Sequence, residues 1–232
     1  MAELLLDIGN SRTKAVLHRG GRLSVLPNHL AETVLSYEID QVFCASVAGA
    51  ERIEQVRQET GLLQQSWRHV VSEVSKSGLI SSYQQPHLLG VDRWLAMLGA
   101  KLQWPEQDLL VVDAGTALTL DWTSAVGQHL GGWIIPGFRL QQKAVIGHTA
   151  KVFNNSMHDA ELALGTDTSS CLQNGCLAAA VAVIFQAVQL QPVAKVILTG
   201  GDAPLLMPLL TQLNPQYDPL LIFRGLSLYI EK

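Results

Sequence analysis

The chain has 232 residues, of which 48% are apolar and 16% charged, and its net charge is −4. That is enough apolar material for one large domain or two smaller ones sharing a cleft, and it argues against a disordered chain. No run of Lys or Arg stands out, which argues against nucleic acid as a partner.

Three cysteines, Cys44, Cys171 and Cys176, are too few and too irregular for a disulfide framework. They read as small buried hydrophobes in a reducing compartment. The N-terminus, Met1-Ala2-Glu3-Leu4-Leu5-Leu6-Asp7, has no basic leader and does not read as a signal peptide. The most apolar stretch, Leu177 to Leu190, is shorter than the roughly 20 residues a bilayer needs and contains Gln186 and Gln189. It reads as a buried helix, so the expectation is no membrane contact and a cytoplasmic location.

In chain order, Leu4 to Leu6 predicts a strand ending in Asp7-Ile8-Gly9-Asn10-Ser11. Thr13 to His18 predicts a second strand, closed by the turn Arg19-Gly20-Gly21-Arg22. Val42 to Val47 predicts a buried strand and Glu51 to Thr60 a helix. Ser72 to Pro86, rich in Ser and Gln, reads as a loop, and a helix is expected from Asp92. Trp104-Pro105 marks a break, which divides the chain into residues 1–104 and 105–232. The second half opens as the first did. Leu109 to Val112 leads into Asp113-Ala114-Gly115-Thr116, and a β-type run follows from Ala117 to Trp122. Helices are expected over Phe138 to Ala150 and Leu172 to Leu190, and a strand over Val196 to Leu198, ending in Thr199-Gly200-Gly201-Asp202. An apolar strand ending in Asp-x-Gly-polar, once per half, suggests duplication of one α/β unit, with two equivalent turns facing a common cleft.

A strand running into Asp-x-Gly sets a carboxylate beside free turn amides, and glycine lets a phosphate approach the backbone closely. Asp7 can hold Mg²⁺, directly or through water, and Lys14 can offer a cation to a phosphate. One such turn is also what local β-turn chemistry produces; the second, at Asp113 to Thr119, favours a phosphate ligand. Gly200-Gly201 either admits a flat adenine or makes an ordinary strand-to-helix turn. In Gly90-Val91-Asp92-Arg93, Asp92 suits a helix N-terminus as a cap or a charge on the dipole. Arg93 does not suit the dipole. Together they fit substrate work, with the carboxylate accepting a hydroxyl proton and the guanidinium holding a polar or anionic group. Tyr83, in the preceding loop, could close over a substrate or be a surface aromatic. The seven histidines are scattered and read as structural or exposed. No P-loop, dinucleotide fingerprint, nucleophile elbow or His-Glu-x-x-His motif occurs.

In this order and at these spacings the pieces resemble type III pantothenate kinases over nearly the whole chain. Asp7 to Lys14 resembles the first phosphate motif, Gly90 to Arg93 the Gly-x-Asp-Arg substrate motif, and Asp113 to Thr116 the second phosphate motif. Gly131-Gly132-x-Ile134-x-Pro136-Gly137, Leu164-Gly165-x-x-Thr168 and Gly200-Gly201-Asp202 resemble further motifs. The resemblance implies an α/β fold of two ribonuclease-H-like, actin-like ATPase domains around a central cleft. It implies ATP-dependent phosphorylation of pantothenate, the first committed step to coenzyme A, with Asp92 as general base. Tyr83, Gly90, Val91, Arg93 and Thr168 would contact pantothenate. Asp7, Ile8, Gly9, Asn10, Ser11, Arg12, Thr13, Lys14 and Thr116 would contact ATP. Asp113 would bind a monovalent cation, K⁺ or NH₄⁺, and Asp7 would serve Mg²⁺. A homodimer is implied too, its seam expected along the helix around Leu177 to Val188. The rivals are a kinase of the same fold acting on another small hydroxy compound, and a non-catalytic regulatory accessory protein.

Overall fold

A computed structural model describes residues 2–9, 12–27, 34, 36–148 and 160–230. Asn10 and Ser11 of the first expected phosphate turn, and the last two residues of the helix expected over Phe138 to Ala150, lie outside the described residues.

The chain forms two compact units. The first is built on a five-stranded sheet of order β3-β2-β1-β4-β5. Its strands are β1 (Glu3–Ile8), β2 (Thr13–Arg19), β3 (Arg22–Val25), β4 (Gln41–Ser46) and β5 (Ser66–Val70). β1 runs antiparallel to β2 and parallel to β4. Successive side chains on a strand point to opposite faces. Leu4, Leu6, Ile8, Ala15, Leu17, Val42 and Cys44 therefore share one face, and they form a core with Val56 of α1 (Ala50–Thr60). The other face of β1 and β4 is covered by α2 (Val91–Gln103) and by α6 (Leu221–Ser227).

The second unit repeats that plan, with order β10-β9-β8-β11-β12. Its strands are β8 (Leu109–Ala114), β9 (Ala117–Thr123), β10 (His129–Pro136), β11 (Lys195–Thr199) and β12 (Gln216–Tyr217). β8 is antiparallel to β9 and parallel to β11, as β1 is to β2 and β4. Leu110, Val112, Leu118, Leu120 and Leu198 make a core with Leu177, Ala180, Val181 and Ile184 of α4 (Thr168–Leu190). The unit also holds α3 (Phe138–His148) and a short α5 (Ala203–Leu206).

Three features differ from the sequence-based expectations. Ser72 to Pro86 contains a hairpin, β6 (Ser75–Lys76) with β7 (Leu79–Ile80). Its turn puts Ser77 and Gly78 at φ 47° and 84°, which a two-residue type I′ turn requires. Residues 126–129 dock on this hairpin and belong to the first unit. The Ile80 amide donates to the Gly127 carbonyl at 2.9 Å, and a Cβ on Gly127 would overlap the Gly78 carbonyl.

Residues from Leu220 onward also return to the first unit, whereas a division at Trp104-Pro105 puts them in the second half. α6 crosses α2 with backbones in contact: a Cβ on Gly99 would collide with the Leu221 carbonyl, and one on Gly225 with the Leu95 carbonyl. The crossing is completed by Trp94, whose Nε1 donates to the Tyr229 hydroxyl at 3.0 Å.

Lastly, α4 begins four residues earlier than expected, capped by Asp167, and its 23 residues are long and apolar enough by composition to cross a membrane. Its Leu177, Ala180, Val181 and Ile184 are instead core side chains of the second sheet. Cys44 and Cys176 are buried as expected, whereas Cys171 is exposed.

The crossing sets a steric test. Gly99→Ala and Gly225→Ala should each lower stability by about 1–3 kcal/mol, the usual cost of overpacking. This should hold even though alanine is the better helix former by about 1 kcal/mol. Urea unfolding midpoints would show it, and an unchanged midpoint would contradict the close crossing.

Candidate functional site

In the first unit, β1 delivers Asp7 to the edge where β1 and β2 separate. Asp7 lies opposite Lys14 on β2 and Ala45 on β4. Alternation puts it on the same face as Leu5, the face that α2 covers. The turn is closed by the Gly9 amide donating to the Arg12 carbonyl at 2.9 Å. The neighbouring strand end is fastened by the Ser46 hydroxyl, which donates to the Ile8 carbonyl at 3.2 Å. Arg12 and Lys14 are exposed. Ile8 is different: its side chain is wholly in the core, so only its backbone is available to a ligand. Sequence reasoning missed Arg52 of α1. Its Nη2 donates to Thr13 Oγ1 at 3.2 Å, adding a cation to this turn.

Gly90-Val91-Asp92-Arg93 forms the start of α2, with Gly90 as the N-cap residue. The loop ahead is anchored by Ser72, whose hydroxyl donates to the Leu89 carbonyl at 2.8 Å. Asp92 Oδ1 accepts the Arg93 amide at 2.8 Å, and a Cβ on Gly90 would fall 2.6 Å from that same oxygen. A larger residue at position 90 would therefore displace the Asp92 carboxylate from this place. Val91 is buried. Arg93 is only 5% exposed, and its Nη1 donates to the Tyr83 hydroxyl at 3.1 Å while its guanidinium carbon lies 5.9 Å from the Tyr83 ring centroid. Tyr83 is half-buried, so its ring is part of the site and not a loose surface aromatic.

The electrostatics join β1 to α2. Burial pushes the Asp7 carboxyl up to about 6 from 3.8; Lys14 pulls it back down, and the Asp92 carboxylate raises it further. Two carboxylates and one lysine thus act on each other at one edge of the sheet. Hard oxygen donors of this kind fit Mg²⁺, which binds through one or two carboxylates and completes its shell with water and phosphate oxygens. Among the described residues there is no group of three or more His, Cys, Asp or Glu that would form an all-protein cage.

In the second unit Asp113 occupies the equivalent place on β8, opposite Thr119 on β9 and Thr199 on β11. The Gly115 amide donates to the Ala117 carbonyl at 3.0 Å, and the Gly137 amide donates to the Thr116 carbonyl at 2.9 Å. Thr116 itself is exposed. Gly200, at φ 94°, sits so close that a Cβ would overlap both Asp113 Oδ1 and the Ala114 carbonyl. The approach of Asp113 is thus a sufficient reason for glycine at 200. Gly201 is exposed with open space beside it. An oxygen donor such as the Asp113 carboxylate fits an alkali cation.

Thr168 opens α4. Asp167 caps this helix, its Oδ1 accepting from the amides of Ser169 at 2.9 Å and Ser170 at 3.0 Å. Thr168 lines a groove with Val145, Gly165, Cys171 and Leu172.

A sequence profile described as type III pantothenate kinase matches residues 3–189. A protein of Colwellia psychrerythraea named type III pantothenate kinase is 37% identical over 246 residues, covering 97% of this chain and 99% of its own length. The crystal structure of a Campylobacter jejuni protein described as a Baf family transcriptional activator superposes with a TM-score of 0.63 at 26% identity, covering 97% of this chain and 95% of that one. A Sinorhizobium meliloti protein described as a 2-dehydro-3-deoxygalactonokinase superposes at 0.60 with 12% identity, covering 97% of each chain, a likeness of fold alone. The fold is the mixed α/β one of actin-like ATPases and sugar kinases, with its two sheets.

The raised Asp7 carboxyl carries a sign. Such a group favours the folded state most below pH 3.8, and that advantage is lost as pH rises through about 6. Ionised Asp7 should cost the nucleotide-free, Mg²⁺-free chain on the order of 2–3 kcal/mol at pH 7.5. Asp7→Asn should then melt several degrees higher than the parent at pH 7.5 and no higher near pH 4. Equal melting temperatures at pH 7.5 would remove the desolvation argument.

Proposed function

The chain belongs to the type III pantothenate kinase family, and we propose residue roles through which it carries out that family's reaction, the ATP-dependent phosphorylation of pantothenate that opens coenzyme A synthesis. The observation that carries the assignment is the meeting of Asp7, Lys14 and Asp92 at one end of the first sheet, with Arg93 and Tyr83 fixed beside them.

Phosphoryl transfer asks the protein for positioning and charge neutralisation more than for covalent chemistry. Asp92 accepts the proton of the pantothenate hydroxyl as that oxygen attacks the γ-phosphorus. Its place in the first turn of a buried helix keeps it rigid. Arg93, with its guanidinium oriented by Tyr83, holds the carboxylate of pantothenate, and Gly90 and Val91 offer backbone to the substrate. The Asp7–Lys14 turn, including Gly9, Asn10, Ser11, Arg12 and Thr13, takes ATP phosphates through amides, hydroxyls and the Lys14 ammonium. Thr116 contacts ATP from its own turn, and Thr168 contacts pantothenate. Mg²⁺ near Asp7 and a monovalent cation at Asp113 supply charge neutralisation when bound with the nucleotide. The enzyme is cytoplasmic and a homodimer. Its seam runs along the middle of α4, where the exposed residues Gly175, Ala178, Ala179 and Ala182 are small and apolar, ahead of the exposed Gln186 and Gln189.

Asp92→Asn should reduce kcat by roughly 100- to 10,000-fold, the range for loss of a general base, while pantothenate still binds in calorimetry. Turnover at the parent rate would remove Asp92 from this role. Asp113→Ala should flatten the dependence of rate on K⁺; a parent enzyme equally fast in Na⁺-only and K⁺ buffers would count against a cation there. Ala179→Glu should shift sedimentation toward the monomer.

A further inference from the structure

We propose that His129, the first residue of β10, is a positioning residue for pantothenate recognition, acting through the Tyr83 ring to hold the Arg93 guanidinium. The inference rests on the assignment of Arg93 and Tyr83 to pantothenate. His129 is fully buried, 0% exposed, in the segment that docks on the β6–β7 hairpin. Its imidazole stacks on Tyr83, with ring centroids 6.0 Å apart and planes 13° from parallel. Its Nδ1 shares a 3.1 Å hydrogen bond with the Ser82 hydroxyl, on the residue just before Tyr83. The Tyr83 hydroxyl in turn accepts from Arg93.

The chain of contacts therefore runs from a locked core imidazole, through a half-buried phenol, to the cation. Tyr83 needs this support. It stands in the irregular stretch between β7 and the short 3-10 turn at Pro86–Leu88, where no strand ladder fixes its side chain. A phenol free to change rotamer would not hold a guanidinium to the fractions of an ångström that recognition requires. The imidazole supplies both constraints at once, a flat face that sets the ring plane and a polar atom that sets the loop.

The test is steady-state kinetics with pantothenate and ATP varied separately, on His129→Gln, His129→Phe, Tyr83→Ala, the double variant His129→Gln with Tyr83→Ala, and Arg93→Lys. His129→Gln keeps a polar group and loses the flat ring. It should raise KM for pantothenate about three- to tenfold, the range an aromatic pair carries, and leave KM for ATP within twofold. His129→Phe restores a flat ring and should recover most of that loss. In the Tyr83→Ala background His129→Gln should add nothing, because residues acting in series are not additive.

If Arg93→Lys raises the pantothenate KM and His129→Gln does not, the positioning role is wrong and the Arg93 assignment stands. If Arg93→Lys leaves that KM unchanged, the assignment of the site is what fails. Multiplicative effects in the double variant would overturn action through Tyr83. Should His129→Gln not fold, His129→Leu, which also removes the flat ring, is read in its place: a pantothenate KM raised about three- to tenfold in His129→Leu and largely restored in His129→Phe supports the proposal, and equal values in the two overturn it.

Discussion

An acid at the end of a buried strand is the constraint on which the first unit turns. β1 is the central strand of its sheet, with partners on both sides and helices on both faces, so its last turn outward must carry any polar group out of the core. Asp7 is where the apolar run stops. The period of two sends its carboxylate to the face beneath α2, and α2 presents a second carboxylate from its first turn. The charge on Asp7 is not comfortable there. Asp7 is desolvated and faces Asp92, with Lys14 as partial compensation. A sheet built only for stability would not place two acids so. A site that receives a metal–nucleotide complex gains from it, since the incoming cation finds field already organised.

The second unit shows the same geometry with different chemistry. Asp113 holds the position of Asp7, yet the residue opposite it is Thr119 where Asp7 has Lys14, and Thr199 where Asp7 has Ala45. One turn therefore has its own cation and the other has hydroxyls and carbonyls. The topology was duplicated and the electrostatics diverged. That divergence suits the separate roles proposed for the two turns, since a lysine beside Asp113 would repel an alkali ion placed there.

Much of this was legible in the chain. Both Asp-x-Gly turns, the strands that feed them and the helix after Gly90 lie where periodicity and turn chemistry put them, because each is decided by neighbours within a few residues. What escaped was decided by distant partners. The hairpin at Ser75–Ile80 is too short to show alternation, and its Ser77-Gly78 turn lies in a stretch of polar residues. The return of residues 220–230 depends on Gly99 and Gly225 finding each other's helix, which no local pattern encodes. His129 read as one of seven scattered histidines, since its meaning comes from Tyr83, 46 positions earlier. Its only local signal is a polar residue at the head of an apolar, glycine-rich strand.

The position of Arg93 shows how these distant contacts serve the site. A cation in the first turn of a helix opposes the helix dipole, and a nearly buried guanidinium also loses hydration. The structure meets both costs locally. The Tyr83 hydroxyl and ring face supply an acceptor and a quadrupole, and Asp92 sets a negative charge one residue away. None of this would hold if α2 could shift along its axis. It cannot shift freely, because Gly99 meets α6 backbone on backbone and the Trp94 indole donates to the Tyr229 hydroxyl. Rigidity at the glycine crossing and placement of Asp92 and Arg93 are thus two ends of one helix, so a small residue distant from both bears on the roles proposed for them.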